Sequence, residues 1–115
     1  IFSIDGNNVG FTKFYSIDKE NSNCVLGADI HKNYRSKGYA KIMWSMMLDH
    51  CFYVLNLHRV SLSTASYNSI AIKVYESLGF KIEGIQTQSL KRNNKFYDQI
   101  CMFMLKDMWD KKNES

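Results

Sequence analysis

The chain opens on short apolar runs separated by polar clusters. Ile1-Phe2-Ser3-Ile4, the turn Asp5-Gly6-Asn7-Asn8 and the run from Val9 to Ile17 predict a hairpin, because Asp-Gly and Asn tolerate the positive φ of a tight turn. Asp18-Lys19-Glu20-Asn21 supplies a second turn and Cys24 to Ile30 a third strand, which makes an antiparallel meander. From Ala40 the period lengthens. Ala40, Trp44, Met47, Leu48, Cys51 and Leu55 recur every three or four residues, one stripe of a helix from about Gly38 to Leu55. Val60, Leu62 and Thr64 then alternate with Ser61 and Ser63, as a half-buried strand does. Ile70, Ala71, Val74, Tyr75 and Leu78 restore helical spacing, with Asn68 or Ser69 as cap and Gly79 just past the end. Phe80 to Leu90 and Phe96 to Leu105 read as two further strands joined by the polar turn Lys91-Arg92-Asn93-Asn94, and Trp109 falls in a charged tail. The predicted order is βββαβαββ, a mixed α/β fold with at least two helices on a mostly antiparallel sheet.

Length adds one bound to this picture: 115 residues suit a single domain, and no proline or Gly/Ser-rich linker marks a second one. Ile1 stands where a Met would open a complete chain and already belongs to a strand-like run, so the expectation is a start inside a longer sequence. Hydrophobic residues at 45% and charged residues at 23% exclude disordered and collagen-like compositions. No apolar run is long enough for a membrane-spanning helix, so no membrane partner is expected. Cys24, Cys51 and Cys101 are odd in number and lack ligand spacing; neither a disulfide framework nor a metal site is expected, and a cytoplasmic location is. The formal charge of +4 favours anionic partners.

One segment combines these signals. Asn33-Tyr34-Arg35-Ser36-Lys37-Gly38-Tyr39-Ala40 joins a strand to a helix, where free amide N–H groups and the helix dipole attract an anion. Arg35, Lys37 and Lys41 add charge, and Gly38 lets backbone approach a pyrophosphate closely. Taken without context, the same residues also describe a helix start with a solvated basic face.

Arg35-Ser36-Lys37-Gly38-Tyr39-Ala40 resembles the Q/R-x-x-G-x-G/A coenzyme loop of the GNAT superfamily of N-acetyltransferases, and Asn68 to Phe80 resembles that family's N-x-x-A-x-x-x-Y-x-x-x-G-F segment. Val54-Leu55-Asn56-Leu57-His58 and Ile82-Glu83-Gly84 are similar to the ribosomal-protein and spermidine N-acetyltransferase branch. The resemblance covers about Phe2 to Leu105 and implies acetyl transfer from acetyl-coenzyme A to a primary amine, without metal. It implies that backbone groups of Ala28, Asp29 and Ile30 hold the pantetheine arm. The loop Arg35, Ser36, Lys37, Gly38, Tyr39, Ala40 and Lys41 would bind pyrophosphate, Asn68 would touch the arm, and Tyr75 would lie near its sulfur as the acid. Asn68 as a plain cap and Tyr75 as a core residue are the structural alternatives. Asp29 and His31 end the third strand and are candidates for the base, beside a water relay.

The family's usual first strand and helices are absent ahead of Ile1. That predicts an uncovered edge, with a second copy of the chain as partner through Phe2, Phe11 and Phe14. The acceptor is a small-molecule amine or a protein amino group: a polyamine, a protein amino terminus or an amino sugar. The resemblance implies that Lys91, Arg92 and Lys95 in the last hairpin sit by the acceptor, which favours an acceptor with negative charge nearby. Two other classes compete: a coenzyme-binding module without catalysis, and an RNA-recognition motif suggested by Lys37 to Trp44. The second is weak because Lys41 replaces an aromatic and the segment continues in helical period, so no nucleic acid is expected.

Overall fold

The computed structural model describes residues 1–30, 32–35 and 37–113; of Asp29 and Lys32 the backbone alone is described. The chain divides into two compact units, Ile1–Val60 and Ser61–Ser115.

In the first unit, β1 (Phe2–Ile4) and β2 (Asn7–Asp18) pair antiparallel with Ile4 opposite Asn7. The turn is therefore two residues, Asp5 (φ 52°) and Gly6 (φ 81°), both left-handed, the geometry whose twist matches paired strands. Asn7 and Asn8 lie in the strand and not in the turn. β3 (Asn23–Ile30) pairs antiparallel with β2, completing the expected meander. The turn between them is held by Asp18, whose carboxylate accepts the Asn21 backbone N–H at 3.0 Å and its side-chain amide at 2.8 Å.

A short 3₁₀ turn, Lys32–Tyr34, leads to α1 (Tyr39–Asp49). His50–Val54 continue it as a wider π turn, closed by the Leu55 N–H on the His50 carbonyl at 2.9 Å. Left-handed Asn56 (φ 58°) then ends it. This wider turn explains a difference from the expected stripe. Met43, Trp44, Leu48, Cys51 and Phe52 are buried, whereas Leu55, at the cap, is exposed. Cys24 and Cys51 meet in this core with sulfurs 4.0 Å apart. Among the three aromatics expected at an exposed edge, Phe11 is exposed and Phe14 half-buried, but Phe2 is buried. Phe2 stands opposite Gly10, which puts no competing side chain on the ladder there.

β4 (Arg59–Ala65) carries the division between the units, with Val60 and Leu62 buried and Ser63 exposed, the expected alternation. The second unit continues with α2 (Ser69–Leu78), β5 (Lys81–Arg92), β6 (Lys95–Leu105) and α3 (Lys106–Asn113), its strands in the order β4-β6-β5. β5 and β6 are antiparallel, with Arg92 opposite Lys95 across left-handed Asn93 and Asn94. Lys91 and Arg92 thus belong to the strand and not to the turn. The tail is a helix: Trp109 is buried, and Lys112 donates to the Ser77 carbonyl at 2.8 Å. A single aromatic among charges is too sparse a stripe for periodicity to reveal. The class is mixed α/β with largely antiparallel strand pairing, as the pattern predicts. Among the described residues no helix is long and apolar enough to cross a membrane.

Candidate functional site

The loop between β3 and α1 is built from its first residue. Arg35 turns back, and its Nε–H donates to the carbonyl of Ile30 at 2.9 Å, tying the loop to the end of the strand. Of the three β3 residues expected to offer backbone groups, Ala28 and Asp29 stand opposite Thr12 and Phe11 on β2, and Ile30 gives its carbonyl to Arg35. Ser36 lies outside the described residues, as does the candidate base His31. The ring of Tyr34 lies 6.4 Å from that of Tyr39, and the Lys37 ammonium is 5.9 Å from the Tyr34 ring.

Gly38 then adopts φ 78° and ψ 3°, a left-handed conformation that suits glycine. Its carbonyl receives the Ile42 N–H at 3.4 Å, but it has no side chain to cap the first turn, and no acidic residue stands in that turn. The amide end of α1 therefore keeps donors and the positive pole of the dipole for an incoming anion. Lys37 and Lys41 are exposed beside it, while Tyr39 and Ala40 are half-buried. A Cβ built on Gly38 meets nothing within 4 Å, so the space over this backbone is open. The residues present fit a pyrophosphate. The segment Lys37 to Trp44 enters a helix at Tyr39, which removes the strand that an RNA-recognition motif needs.

In the second unit, α2 starts differently. The side chain of Asn68 accepts the Ala71 N–H at 3.4 Å, so the structural alternative for Asn68, a helix cap, is realised. At the other end the Phe80 N–H reaches the Tyr75 carbonyl at 3.0 Å and the Gly79 N–H reaches Glu76 at 3.0 Å, with Gly79 at φ 109°. This is a Schellman closure. Its accompanying apolar contact is between Tyr75 and Phe80, whose rings meet edge-on at 5.9 Å and 67°. Half-buried Tyr75 is thereby fixed at the ring by the closure of its own helix. Next to the cap, Tyr67 meets Tyr97 edge-on at 4.9 Å and the Arg92 guanidinium at 4.9 Å. Sequence reasoning passed over Tyr67; its one signal was that it directly precedes the cap. Among the described residues no cluster of His, Cys, Asp or Glu could hold a metal ion.

A family model described as an acetyltransferase (GNAT) domain matches residues 1–81. An uncharacterized N-acetyltransferase of prophage origin from Bacillus subtilis strain 168, YokL, is 30% identical over 106 residues, covering 92% of this chain and 60% of the relative. The crystal structure of a spermidine N-acetyltransferase from Vibrio cholerae with CoA and spermine superimposes with a TM-score of 0.88 at 26% identity, over 92% of this chain and 63% of that one. A dodecameric structure of the same enzyme gives 0.85 at 27% identity, over 89% and 60%. The chain spans about three-fifths of the length of these relatives.

Proposed function

Since the chain belongs to the acetyltransferase (GNAT) domain family, we propose that it carries the coenzyme cradle and the acid of an acetyl-coenzyme A-dependent N-acetyltransferase acting on a primary amine. The observation that carries this reading is the contrast between two helix starts. Asn68 satisfies the start of α2 from within, whereas α1 begins at left-handed Gly38 with no side-chain cap and with Lys37 and Lys41 beside it. An anion completes the second arrangement and has no place in the first. The amides after Gly38, with Lys37 and Lys41, hold the pyrophosphate; Arg35 braces the loop, and Ser36 belongs to it by sequence. Backbone groups of Ala28, Asp29 and Ile30 and the side chain of Asn68 hold the pantetheine arm.

When bound, the coenzyme supplies a thioester carbonyl for a neutral amine to attack. The C–N bond forms, the C–S bond breaks, and the Tyr75 hydroxyl gives its proton to the departing thiolate. The amine proton passes to Asp29, His31 or a water relay and from there to solvent, from which Tyr75 regains its own proton. Support for an amine acceptor comes from the Vibrio cholerae enzyme, named for spermidine and crystallised with spermine. Its dodecameric form supports a closed higher assembly of this chain over the simple homodimer expected from an open edge. A cytoplasmic location accords with this reading.

The test is release of coenzyme A from acetyl-coenzyme A with an amine panel, run with the chain and with Tyr75→Phe. Phenylalanine keeps the ring contact with Phe80, so a drop in kcat of about a hundredfold or more with unchanged coenzyme affinity identifies the acid. Coenzyme binding without turnover by either protein would identify a module that binds and does not catalyse.

A further inference from the structure

The second unit contains a positively charged hairpin end that acetyl transfer itself does not use. Lys91, Arg92 and Lys95 are exposed at the closed end of the β5–β6 hairpin, where Lys91 pairs with Phe96 and Leu90 with Tyr97. That end is tied to the start of α2 at two points. The Ser66 N–H donates to the Asp98 carbonyl at 2.9 Å, and the Tyr67 ring meets Tyr97 in a T-shaped contact and carries the Arg92 guanidinium. Lys91 lies 5.8 Å from the Phe96 ring. From Gln86 to Gln99 the only acid is Asp98, and its carboxylate accepts the Gln88 N–H at 2.8 Å. The hairpin end is therefore positive, and fixed beside the helix that carries Tyr75.

Arg92 is the member best suited to recognition. Contact with an aromatic ring holds a guanidinium in place while its edge keeps N–H donors in the fork geometry that matches a carboxylate. A polycation approaching the face that carries Arg92 meets a second like charge in its cross-strand neighbour Lys95. Along α2, the seven residues from Asn68 to Tyr75 rise on the order of 10 Å, so an acceptor that reaches from Tyr75 to Arg92 needs several bonds between its amine and its carboxylate.

We propose that Arg92, seated on Tyr67, determines acceptor specificity by binding the carboxylate of an amine that bears one at a distance, and that the chain thereby selects against polyamines. This rests on the acetyl-transfer reading above. The carboxylate has two sources, a free ω-amino acid or an acidic peptide.

The experiment compares kcat/KM with acetyl-coenzyme A for butylamine, spermidine, 6-aminohexanoate and the peptide Gly-Asp-Glu, using the chain, Arg92→Gln and Arg92→Lys. The expected result is an advantage of about tenfold or more for 6-aminohexanoate or the peptide over butylamine, expressed in KM. Whichever of the two leads identifies the source. Arg92→Gln erases the advantage and Arg92→Lys restores part of it. Spermidine leading the panel, or a ranking unchanged in Arg92→Gln, overturns the proposal and leaves acetyl transfer standing. If no amine is acetylated although acetyl-coenzyme A binds, the acetyl-transfer reading fails. The carboxylate site is then decided by the Arg92 Nε–H resonance on titration with 6-aminohexanoate: a saturable shift supports it, and no shift overturns it.

Discussion

The Nε–H of Arg35 donates to the carbonyl of Ile30 at 2.9 Å, which makes the first residue of the loop motif a brace between strand and loop. A lysine keeps the charge but lacks a donor at that point on the side chain. If bracing is the larger part of its role, Arg35→Lys weakens acetyl-coenzyme A binding nearly as much as Arg35→Ala does, each by roughly tenfold, the scale of one charge-assisted hydrogen bond. Fluorescence titration of both variants checks this. Full affinity in Arg35→Lys would mean that charge alone matters.

The two left-handed glycines at helix ends differ in surroundings. At Gly38 an added methyl meets open space, so Gly38→Ala costs only the left-handed backbone, about 1 kcal/mol. At Gly79 the methyl comes 3.3 Å from the Met104 Cε in addition to the backbone strain at φ 109°. Gly79→Ala is expected to lower stability further than Gly38→Ala, by about 2 kcal/mol or more. Because Gly79 closes the helix that carries Tyr75, it should also lower turnover. Denaturant unfolding of the two variants gives the comparison.

Cys51 is fully buried, its thiol pushed far above the ordinary range by its hydrogen bond to Cys24, by burial and by the charge that Cys24 carries when ionised. It serves as a small apolar filler. Cys51→Ala is expected to cost about 1–2 kcal/mol, and Cys51→Ser more, since a hydroxyl is harder to bury than a thiol. Thermal unfolding separates the two; a serine variant as stable as the parent would contradict this packing role.

Asp18 is held below the usual carboxylate range, first by the Asn21 side chain and then by the Asn21 backbone N–H. A depressed carboxyl stabilises the folded state above its unfolded value, near 3.9, and that contribution disappears as pH falls through the folded value. A carbon-detected titration should place the Asp18 midpoint below the usual carboxylate range, and Asn21→Ala, which removes the side-chain donor, should move it back up.

Much of this was legible before the structure. Helices α1 and α2, the glycines that bound them and the hairpin meander follow from local rules: period, caps and left-handed turn residues. Four features were not. The π turn at His50–Val54 depends on which carbonyl the Leu55 N–H selects, a choice that hydrophobic spacing does not encode. Helix α3 is held by Trp109 burial and by Lys112 reaching Ser77, contacts distant in sequence. The bond from Arg35 to Ile30 was hidden because charge is visible in a sequence and the direction of a side chain is not. The placement of Arg92 on Tyr67, 25 residues apart in number, was hidden for the same reason.

Calorimetric titration of acetyl-coenzyme A into the chain and into Gly38→Asp tests whether the amide end of α1 receives the coenzyme. Aspartate tolerates the left-handed conformation comparatively well and finds open space at this position, so the variant should fold. Saturable binding by the chain and its loss in Gly38→Asp, where a negative charge faces the pyrophosphate, are expected. Equal binding by both proteins would contradict the account and place the coenzyme elsewhere.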